Sequence, residues 1–364
     1  MANILFYTTL FVALLSVATY FFISEDIDAV VLDLEPVSAF PENIATNANL
    51  SDVSSLTIDD FHGPESLVFV NGSLYTGVSE GKILRVNGTD VHVFANFCLS
   101  NGDCGRPAGM RLSLNKKQFF VVDSVLGIYL VSLLNGEGTS KKVFPQMNES
   151  GFSFLNDLDV LTNGNLLVSQ SSTKYSVRQF PYELMEGKPN GRLLVVNPNV
   201  GAWRVLTPDL HIPNGVQLHR DGNSVLVAES GKFRVLRISL TDGSKTVFAD
   251  GLPGMPDNIR LSPRGGYWVP VSLLRTSFHG RVFDWLFARP SLRRIVFKFA
   301  IKFYPSFLEA ISSSMLLRLD EDGKIVEVRK DPTNRVPFVS EVMENEGQLY
   351  LASPCLPYIS HLKV

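Results

Sequence analysis

A short pattern recurs along the chain: a polar residue, a strand of alternating apolar residues, a turn containing Gly or Asn, and a returning apolar strand. It occurs at residues 63–75, 154–168, 212–226 and 254–263. Alternation followed by such a turn is typical of a β-hairpin. Repetition of one hairpin predicts a fold built from equivalent all-β units.

The polar residue that opens each repeat carries an oxygen donor: Glu65, Asn156, Asn214, or the adjacent pair Asp257 and Asn258. In a β-propeller, the first strands of successive blades surround a central channel, so these side chains would converge on the axis. Carboxylate and amide oxygens without Cys or His suit a hard cation and favour Ca²⁺ over Mg²⁺. The alternative is that Asn and Asp open these strands only because they form turns well.

Blade-like stretches begin near six positions along the sequence. They are Glu65, Ala108, Asn156, Asn214, Asp257 and Glu341. Most intervals between them have the length of a propeller repeat, roughly 40–50 residues. We therefore predict an all-β fold, a six-bladed β-propeller over residues 61–364, with a stalk and lead-in over residues 24–60.

The interval from Asp257 to Glu341 is nearly twice as long as the others, and it contains a basic insertion at residues 275–310, which we place between the last blades. Within residues 290–304, apolar side chains fall at helical spacing. They are Leu292, Ile295, Val296, Phe299 and Phe303, and the basic row beside them is Arg294, Lys298 and Lys302. Such a helix can lie in a membrane interface. The alternative, which does not exclude the first, is a helical lid with its basic row in water.

An apolar run at residues 4–23 is long enough to cross a bilayer. We predict a signal anchor over residues 1–23 in a single-pass type II membrane protein, with the propeller in the ER lumen or outside the cell. The alternative is a cleaved signal peptide, because small residues at 16–18 offer a processing site. The remainder would then be secreted.

Sequons and cysteines agree with a lumenal compartment. Four Asn-X-Ser/Thr sequons occur, at Asn49, Asn71, Asn87 and Asn148, and each can accept a glycan on a lumenal surface. Cys98 and Cys104 bracket a short loop and can pair in an oxidising lumen, which leaves Cys355 over; the alternative is three free thiols. A net charge of −3 with 19% charged residues gives no indication of a nucleic-acid partner.

Six short sequence motifs are spread over residues 56–364. They are Gly-Pro-Glu-Ser at 63–66, Cys-Gly-Arg-Pro-Ala-Gly-Met-Arg at 104–111, Phe-Leu-Asn-Asp at 154–157, Pro-Asn-Gly-Val at 213–216, Met-Pro-Asp-Asn-Ile at 255–259 and Glu-Gly-Gln-Leu-Tyr-Leu at 346–351. Together they resemble the strictosidine synthase-like family, six-bladed propellers related more distantly to paraoxonases and gluconolactonases. The segment at 288–297 also resembles the animal branch of that family.

The resemblance implies a calcium site. Paraoxonase-like propellers hold a catalytic calcium through residues that correspond here to the same five side chains that open the repeats. Such a metal polarises an ester or lactone carbonyl and stabilises the developing oxyanion. The implied function is a calcium-dependent, arylesterase-like hydrolase of hydrophobic aryl esters or lactones.

Two departures limit what the resemblance carries over. Paraoxonases place a catalytic His in the second blade, where this chain has Ala108, and its six histidines are interpreted as surface, turn or packing residues. Asp157 is then a candidate general base, or a group that orients the neighbouring Asn156. The acid/base glutamate of the family namesake corresponds to Ser340, and Glu341 would face the opposite side of its strand.

We therefore expect no strictosidine synthase activity, which is a condensation of an amine with an aldehyde. Two hypotheses of different class remain: the hydrolase, and a non-catalytic lumenal binding or scaffold propeller in which calcium is structural.

Overall fold

The computed structural model describes residues 27–40, 50–134, 138–144, 151–301 and 313–364. Turn residues divide this chain into antiparallel hairpins. Between paired Val70 and Ser73, for example, Asn71 and Gly72 both have positive φ, 49° and 80°. Two positive φ values in succession match the right-handed twist of the flanking strands, which is why Asn-Gly is favoured there.

The described strands form six antiparallel sheets, which confirms the predicted six-bladed β-propeller. From the axis outward, blade one contains β2 (Leu67–Val70), β3 (Ser73–Val78), β4 (Lys82–Asn87) and β5 (Asp90–Asn96). Blade two contains β6 (Pro107–Leu112), β7 (Gln118–Asp123), β8 (Gly127–Ser132) and β9 (Ser140–Lys142). Blade three contains β10 (Phe154–Val160), β11 (Leu166–Ser172), β12 (Gly191–Val196) and β13 (Trp203–Leu210).

The remaining blades follow the same order. Blade four contains β14 (Pro213–Leu218), β15 (Ser224–Glu229), β16 (Arg234–Ser239) and β17 (Lys245–Ala249). Blade five contains β18 (Met255–Pro256), β19 (Arg260–Leu261), β20 (Tyr267–Ser272), β21 (Met315–Leu319) and β22 (Ile325–Lys330). Blade six contains β23 (Glu341–Asn345), β24 (Gln348–Ala352), β25 (Tyr358–Lys363) and, outermost, β1 (Ser54–Thr57).

Blade six is completed by the amino-terminal strand. Leu56 of β1 lies opposite Ile359 of β25, so the first and last described strands of the chain pair and close the ring. This pairing gives blade six its fourth strand and joins the two ends of the described propeller in one sheet.

The segment predicted as a stalk is therefore in part a component of the propeller. Residues 27–40 also lie on its surface: the Ser38 amide donates to the Gly251 carbonyl at 2.8 Å, and Ile27 and Leu32 are buried. Apolar residues among the acids bury against the domain instead of remaining in solvent.

The core lies between the faces of neighbouring blades. Phe120 and Val122 of blade two pack with Leu158 and Leu194 of blade three in one cluster, and the other blade pairs repeat this arrangement. Close approach at the axis depends on glycine. A Cβ atom on Gly215 would lie 2.5 Å from the Asp257 carbonyl oxygen. This is too close for two non-bonded atoms, and the carbonyl is part of the backbone and cannot move aside as a flexible side chain could.

Three α-helices are described. They are α1 (Phe180–Glu186), α2 (Phe278–Phe287) and α3 (Pro290–Ala300). The first lies between β11 and β12 of blade three and ends at Gly187, whose φ of 72° suits a left-handed C-cap. Helices α2 and α3 connect β20 to β21 within one sheet. The prediction that the insertion lies between blades is therefore wrong: it lies inside blade five.

Helix α3 buries a different face from the one predicted. Arg293, Phe297 and Lys298 are buried, whereas Ile295 is 42% exposed. Arg293 lies inside because its guanidinium donates to the backbone carbonyls of Phe287 and Glu186, both at 3.1 Å, and to that of Val30. The hydrogen bonds of Nη1 and Nη2 to backbone carbonyls make burial of this cation tolerable, which apolar periodicity alone does not reveal. Residues 302–304 of the predicted helix lie outside the described residues.

Other predictions have mixed outcomes. The predicted anchor at residues 1–23 lies outside the described residues, and none of the helices described has the length and apolar character needed to cross a membrane. Asn71 and Asn87 stand in exposed positions, while Asn49 and Asn148 lie outside the described ranges. A disulfide joins Cys98 to Cys104, and Cys355 is a free, exposed thiol.

Candidate functional site

The starts of the innermost strands surround a cavity of about 320 Å³ at one end of the propeller axis. Glu65 precedes β2, Asn156 lies on β10, Asn214 lies on β14, and Asp257 follows β18; all four line the cavity. Asn258 is buried beside Asp257. The structure thus brings four of the five predicted ligands to one cavity, with the fifth next to it in sequence.

Hydrogen bonds orient the three amide side chains. The Nδ2 of Asn214 donates to Oδ1 of Asp257 at 2.8 Å, and the Nδ2 of Asn258 donates to Oε2 of Glu341 at 3.3 Å. The Nδ2 of Asn156 donates to Oγ of Ser171 at 3.2 Å. Each amide nitrogen is thereby fixed, and the amide oxygen is the atom left to receive a ligand.

Two of these oxygens lack a hydrogen-bond partner among the described residues. The Oδ1 atoms of Asn214 and Asn258 are buried and unpaired within the described part of the chain. An unsatisfied buried acceptor costs about 1–3 kcal/mol. A bound cation would satisfy both atoms, so this observation fits the calcium expectation.

The two carboxylates at the site also favour a cation. Burial raises the pKa of Asp257 well above its usual range, and the charge of Glu65 raises it further. Burial likewise raises the pKa of Glu65, against the opposing effect of Arg106. Two buried acids in one site repel each other, and a divalent cation is one means of relieving that repulsion.

Arg106 is a site residue that the sequence interpretation missed. Its Nη2 pairs with Oε2 of Glu65, while Nη1 donates to the Gly63 carbonyl at 2.8 Å and to Oγ of Ser79 at 3.0 Å. Arg106 lies in the motif at residues 104–111, but the hairpin repeats contain no residue equivalent to it, so the comparison of repeats did not identify it. It partly neutralises Glu65 and so competes with a cation for that carboxylate.

The donor chemistry of the site is therefore oxygen only and rich in amides. Among the described residues, no group of three or more His, Cys, Asp or Glu side chains is arranged to hold a metal ion. The proposed set contains two carboxylates and three amides, and a flexible set of mixed oxygens suits calcium. The amide oxygens of Asn214 and Asn258, which lack partners among the described residues, could coordinate the ion. The pairing of Arg106 with Glu65 weakens what Glu65 can contribute to cation binding.

Asp157 does not occupy the position of a general base. Its side chain is fully buried and does not line the cavity. It accepts hydrogen bonds from Arg260 Nη1 at 2.9 Å, the Val216 amide at 2.9 Å and Arg111 Nη2 at 3.3 Å. Burial alone would raise its pKa, but Arg111 and Arg260 outweigh burial and hold the pKa below its ordinary value. The carboxylate is an ionised anchor that contacts other blades, not Asn156.

A second buried carboxylate completes a polar layer beneath the cavity. Glu341 pairs with Arg260 and accepts from the Leu67 amide at 3.0 Å and Oγ of Ser66 at 2.8 Å. Oγ of Ser66 in turn accepts from the Met110 amide at 3.2 Å. With the contacts of Asp157, these hydrogen bonds connect the innermost strands of all six blades. We call this layer of Ser66, Arg111, Asp157, Arg260 and Glu341 the axial ring.

The remaining cavity wall is mostly apolar. Its apolar members are Phe154, Val177, Phe180, Pro181, Ile212, Met255, Leu273, Phe338 and Pro354. Within the described chain no histidine lines it, and Ala108 is buried outside it. Cys355 does line it; although the residue as a whole is exposed, partial desolvation of its thiol and then the charge of Glu65 raise the thiol pKa, so it stays protonated at neutral pH.

Ser340 and Glu341, the two positions compared with the family namesake, have different surroundings. Ser340 donates its hydroxyl to the Glu65 carbonyl at 2.8 Å, whereas the Glu341 carboxylate points into the axial ring. The predicted change of face between these adjacent residues follows from strand alternation.

Fold and site together define a six-bladed β-propeller with an oxygen-lined axial cavity. Family models match in two places: strictosidine synthase over residues 156–242, and the N-terminal part of strictosidine synthase-like proteins over residues 40–86. Adipocyte plasma membrane-associated protein of Danio rerio is 35% identical over 338 residues, which is 87% of this chain and 79% of that one. The chain belongs to the strictosidine synthase-like family, together with the adipocyte plasma membrane-associated proteins.

Solved structures share the fold at low sequence identity. A gluconolactonase from Xanthomonas campestris superposes with a TM-score of 0.57 at 15% identity, covering 94% of this chain and 99% of its own. Regucalcin from Agrobacterium tumefaciens, described as a calcium-binding protein, superposes with a TM-score of 0.55 at 12% identity, covering 85% and 93%. These similarities establish the propeller architecture.

Proposed function

We propose that this chain is a membrane-anchored, calcium-dependent hydrolase of hydrophobic aryl esters or lactones. The observation that carries the proposal is the pair of buried, unpaired amide oxygens of Asn214 and Asn258 beside the Asp257 carboxylate. They belong to an axial cavity whose walls are otherwise mostly apolar. Relatives of the propeller fold described as a gluconolactonase and as a calcium-binding protein support the same reading.

Each group of residues has a distinct task in this proposal. Asn156, Asn214, Asp257, Asn258 and Glu65 would hold the ion, and the hydrogen bonds of the amides fix their orientation. The chemistry that bound calcium supplies is polarisation of the substrate carbonyl and stabilisation of the oxyanion.

The apolar wall selects the substrate. Phe180 and Pro181 of α1 reach the cavity from one side, and Met255 on β18 and Leu273 after β20 reach it from blade five. Burial of an aryl or alkyl group against these side chains contributes about 25 cal/mol per Å² of apolar area removed from water. Aryl esters and hydrophobic lactones are therefore favoured over polar analogues.

Hydrolysis of phenyl acetate by the full chain in detergent tests the proposal. The rate is measured with calcium, with a chelator, and for Asp257→Ala. We expect chelation and the substitution each to lower the rate by about 100-fold, the scale of losing one oxyanion-stabilising group. Asp242→Ala is the control, because Asp242 lies on an exposed turn of blade four and should leave the rate unchanged.

Activity that survives both chelation and Asp257→Ala would contradict the proposal. Thermal melting of both variants shows whether each remains folded under the assay conditions.

A second candidate function is a non-catalytic binding or scaffold propeller with structural calcium. One observation favours it: in the described chain, the carboxylates that line the cavity are Glu65 and Asp257, both proposed ligands, and no separate base stands beside them. No hydrolysis across aryl-ester and lactone panels, with calcium still raising the melting temperature, would select this candidate. Strictosidine synthase activity is not expected, because Ser340 cannot exchange a proton at neutral pH as a carboxylate does.

The same proposal places the chain at a membrane. The apolar run at residues 4–23 would anchor it as a type II protein with the propeller in the ER lumen or outside the cell. The Cys98–Cys104 disulfide suits an oxidising compartment. The names of the vertebrate relatives, plasma membrane-associated proteins, agree with membrane association.

A further inference from the structure

The outer face of α2 exposes three large apolar side chains. Phe278, Val282 and Trp285 are 69%, 41% and 50% exposed. Their spacing of four and three residues places them on one side of the helix. Water-exposed aromatic side chains at helical spacing form an apolar patch of the kind that marks an interaction site.

The opposite face of α2 is firmly packed. Leu286 and Phe287 are buried, and the Asp284 carboxylate accepts from Nε of Arg275 at 2.9 Å. The hydroxyl of Ser277 caps the helix by accepting from the Gly280 amide at 3.0 Å. The exposed stripe is therefore held in place by the fold and is not a frayed end of the chain.

Two basic side chains lie beside the stripe. Arg281 is exposed on α2, and the Arg289 guanidinium lies 4.3 Å from the centre of the Trp285 ring. Asp284, the one acid in α2 and α3, is already paired with Arg275. A cationic rim around exposed Trp and Phe complements a surface that is anionic and apolar at once.

The described chain also begins beside these helices. Ile27 packs in a cluster with Met185 of α1 and Phe297 of α3. The apolar run ends at Ile23, so the four steps to Ile27 span at most about 14 Å. If that run crosses a bilayer, as its sequence predicts, α2 and α3 lie within a short distance of the same bilayer.

We infer that the Phe278, Val282 and Trp285 face of α2 inserts into the headgroup region of a bilayer containing anionic lipid. Trp occupies the interface because its ring is apolar while its indole N–H can bond to water or headgroups, and an adjacent Phe adds apolar area that the bilayer buries. The inference does not depend on catalysis by the axial cavity. It also moves the predicted membrane contact from α3, whose Arg293 and Phe297 are buried, to α2.

The inner face of α2 relates this surface to the axial cavity. Phe283 and Phe287 line a small apolar gap together with Met255 and Leu273. Met255 and Leu273 also line the candidate site. Met255 and Leu273 thus border both the gap beneath α2 and the axial cavity.

Tryptophan fluorescence gives a direct test, because the chain has three tryptophans in different surroundings. Trp268 is buried, Trp203 is 43% exposed on blade three, and Trp285 lies on the proposed surface. The full chain is placed in lipid nanodiscs of phosphatidylcholine and phosphatidylserine that contain a spin-labelled lipid. We compare quenching in Trp203→Phe, which keeps Trp285, with quenching in Trp285→Phe, which keeps Trp203.

We expect quenching in Trp203→Phe to exceed that in Trp285→Phe by about twofold or more, since only a ring in the bilayer meets the spin label. Adding Phe278→Ser and Val282→Ser to Trp203→Phe should reduce the quenching. Adding Val200→Ser, a change at a residue that is 74% exposed, should not.

Equal quenching in the two tryptophan variants, or none in either, would overturn the inference. If Trp285 is instead shielded by a second copy or by another protein, its emission shifts to shorter wavelength without lipid quenching, and that result also overturns it. Melting temperatures of all variants in the same nanodiscs show whether each is folded.

Discussion

The residues at the propeller axis divide into two layers with different chemistry. The upper layer presents amide oxygens and the Asp257 carboxylate to the cavity. The lower layer, the axial ring, compensates its own charges: Asp157 and Glu341 face Arg111 and Arg260. Two adjacent residues of β10 therefore have different roles. Asn156 lines the cavity, and Asp157 belongs to the axial ring.

Arg260 is the residue on which the axial ring depends most. It is buried and pairs with both Asp157 and Glu341. We expect Arg260→Met to lower the free energy of unfolding by about 3–5 kcal/mol, because one change leaves two buried carboxylates without their shared partner. Urea denaturation followed by circular dichroism measures the loss.

Arg237→Met is the matched control for Arg260. Arg237 pairs with Asp221 at the surface, where the two side chains are 38% and 28% exposed, and such pairs contribute about 0–1 kcal/mol. Similar stability of the two variants would show that the axial ring does not hold the blades together.

At the scale of elements, α1, which lines the cavity through Phe180 and Pro181, is held against blade three by a buried carboxyl group. Glu183 is buried, and its carboxylate accepts hydrogen bonds from Ser172 and from Nδ2 of Asn190 at 3.2 Å. Burial raises the pKa of Glu183 from 4.5 to about 7, against the hydrogen bonds from Ser172 and Asn190, which act in the opposite direction. The helix is thus fixed to β11 by an acid that is partly protonated near neutral pH.

This pKa predicts how stability depends on pH. Because the folded protein holds the Glu183 proton more tightly than the unfolded chain, the favourable contribution is present below pH 4.5 and is lost as pH rises to about 7. We expect Glu183→Gln to remove this loss, a difference of at most about 3 kcal/mol between pH 4 and pH 8. Chemical denaturation of both proteins across that range measures it, and parallel pH profiles would contradict the assignment.

The elements show why the sequence predicts the blades better than the helices. Hairpins are specified locally, by a period of two and by turn residues such as Asn71 and Gly72. The buried face of α3 is specified by distant backbone: Arg293 is inside because Val30 and Glu186 offer carbonyl oxygens there. Closure of blade six by β1 likewise depends on pairing with the far end of the chain.

On the scale of the whole molecule, the sequence predicts that the proposed ligands share one cavity, as four of them do, but not what surrounds them. Repetition brings equivalent positions to one axis, so Asn156, Asn214 and Asp257 could be placed by their repeats. Arg106 has no equivalent in the other repeats and could not be placed this way. Nor could the role of Asp157, because its partners Arg111 and Arg260 come from other blades.

Calcium binding by the full chain is the measurement that tests the axial site most directly. Isothermal titration calorimetry in detergent is carried out on the chain itself, on Asp257→Ala and on the surface control Asp242→Ala. We predict one calcium site in the chain and in Asp242→Ala, and a loss of binding of at least tenfold in Asp257→Ala, since a carboxylate ligand is removed. Absence of binding heat in the unaltered chain, or equal affinity in Asp257→Ala, would contradict the calcium site on the propeller axis.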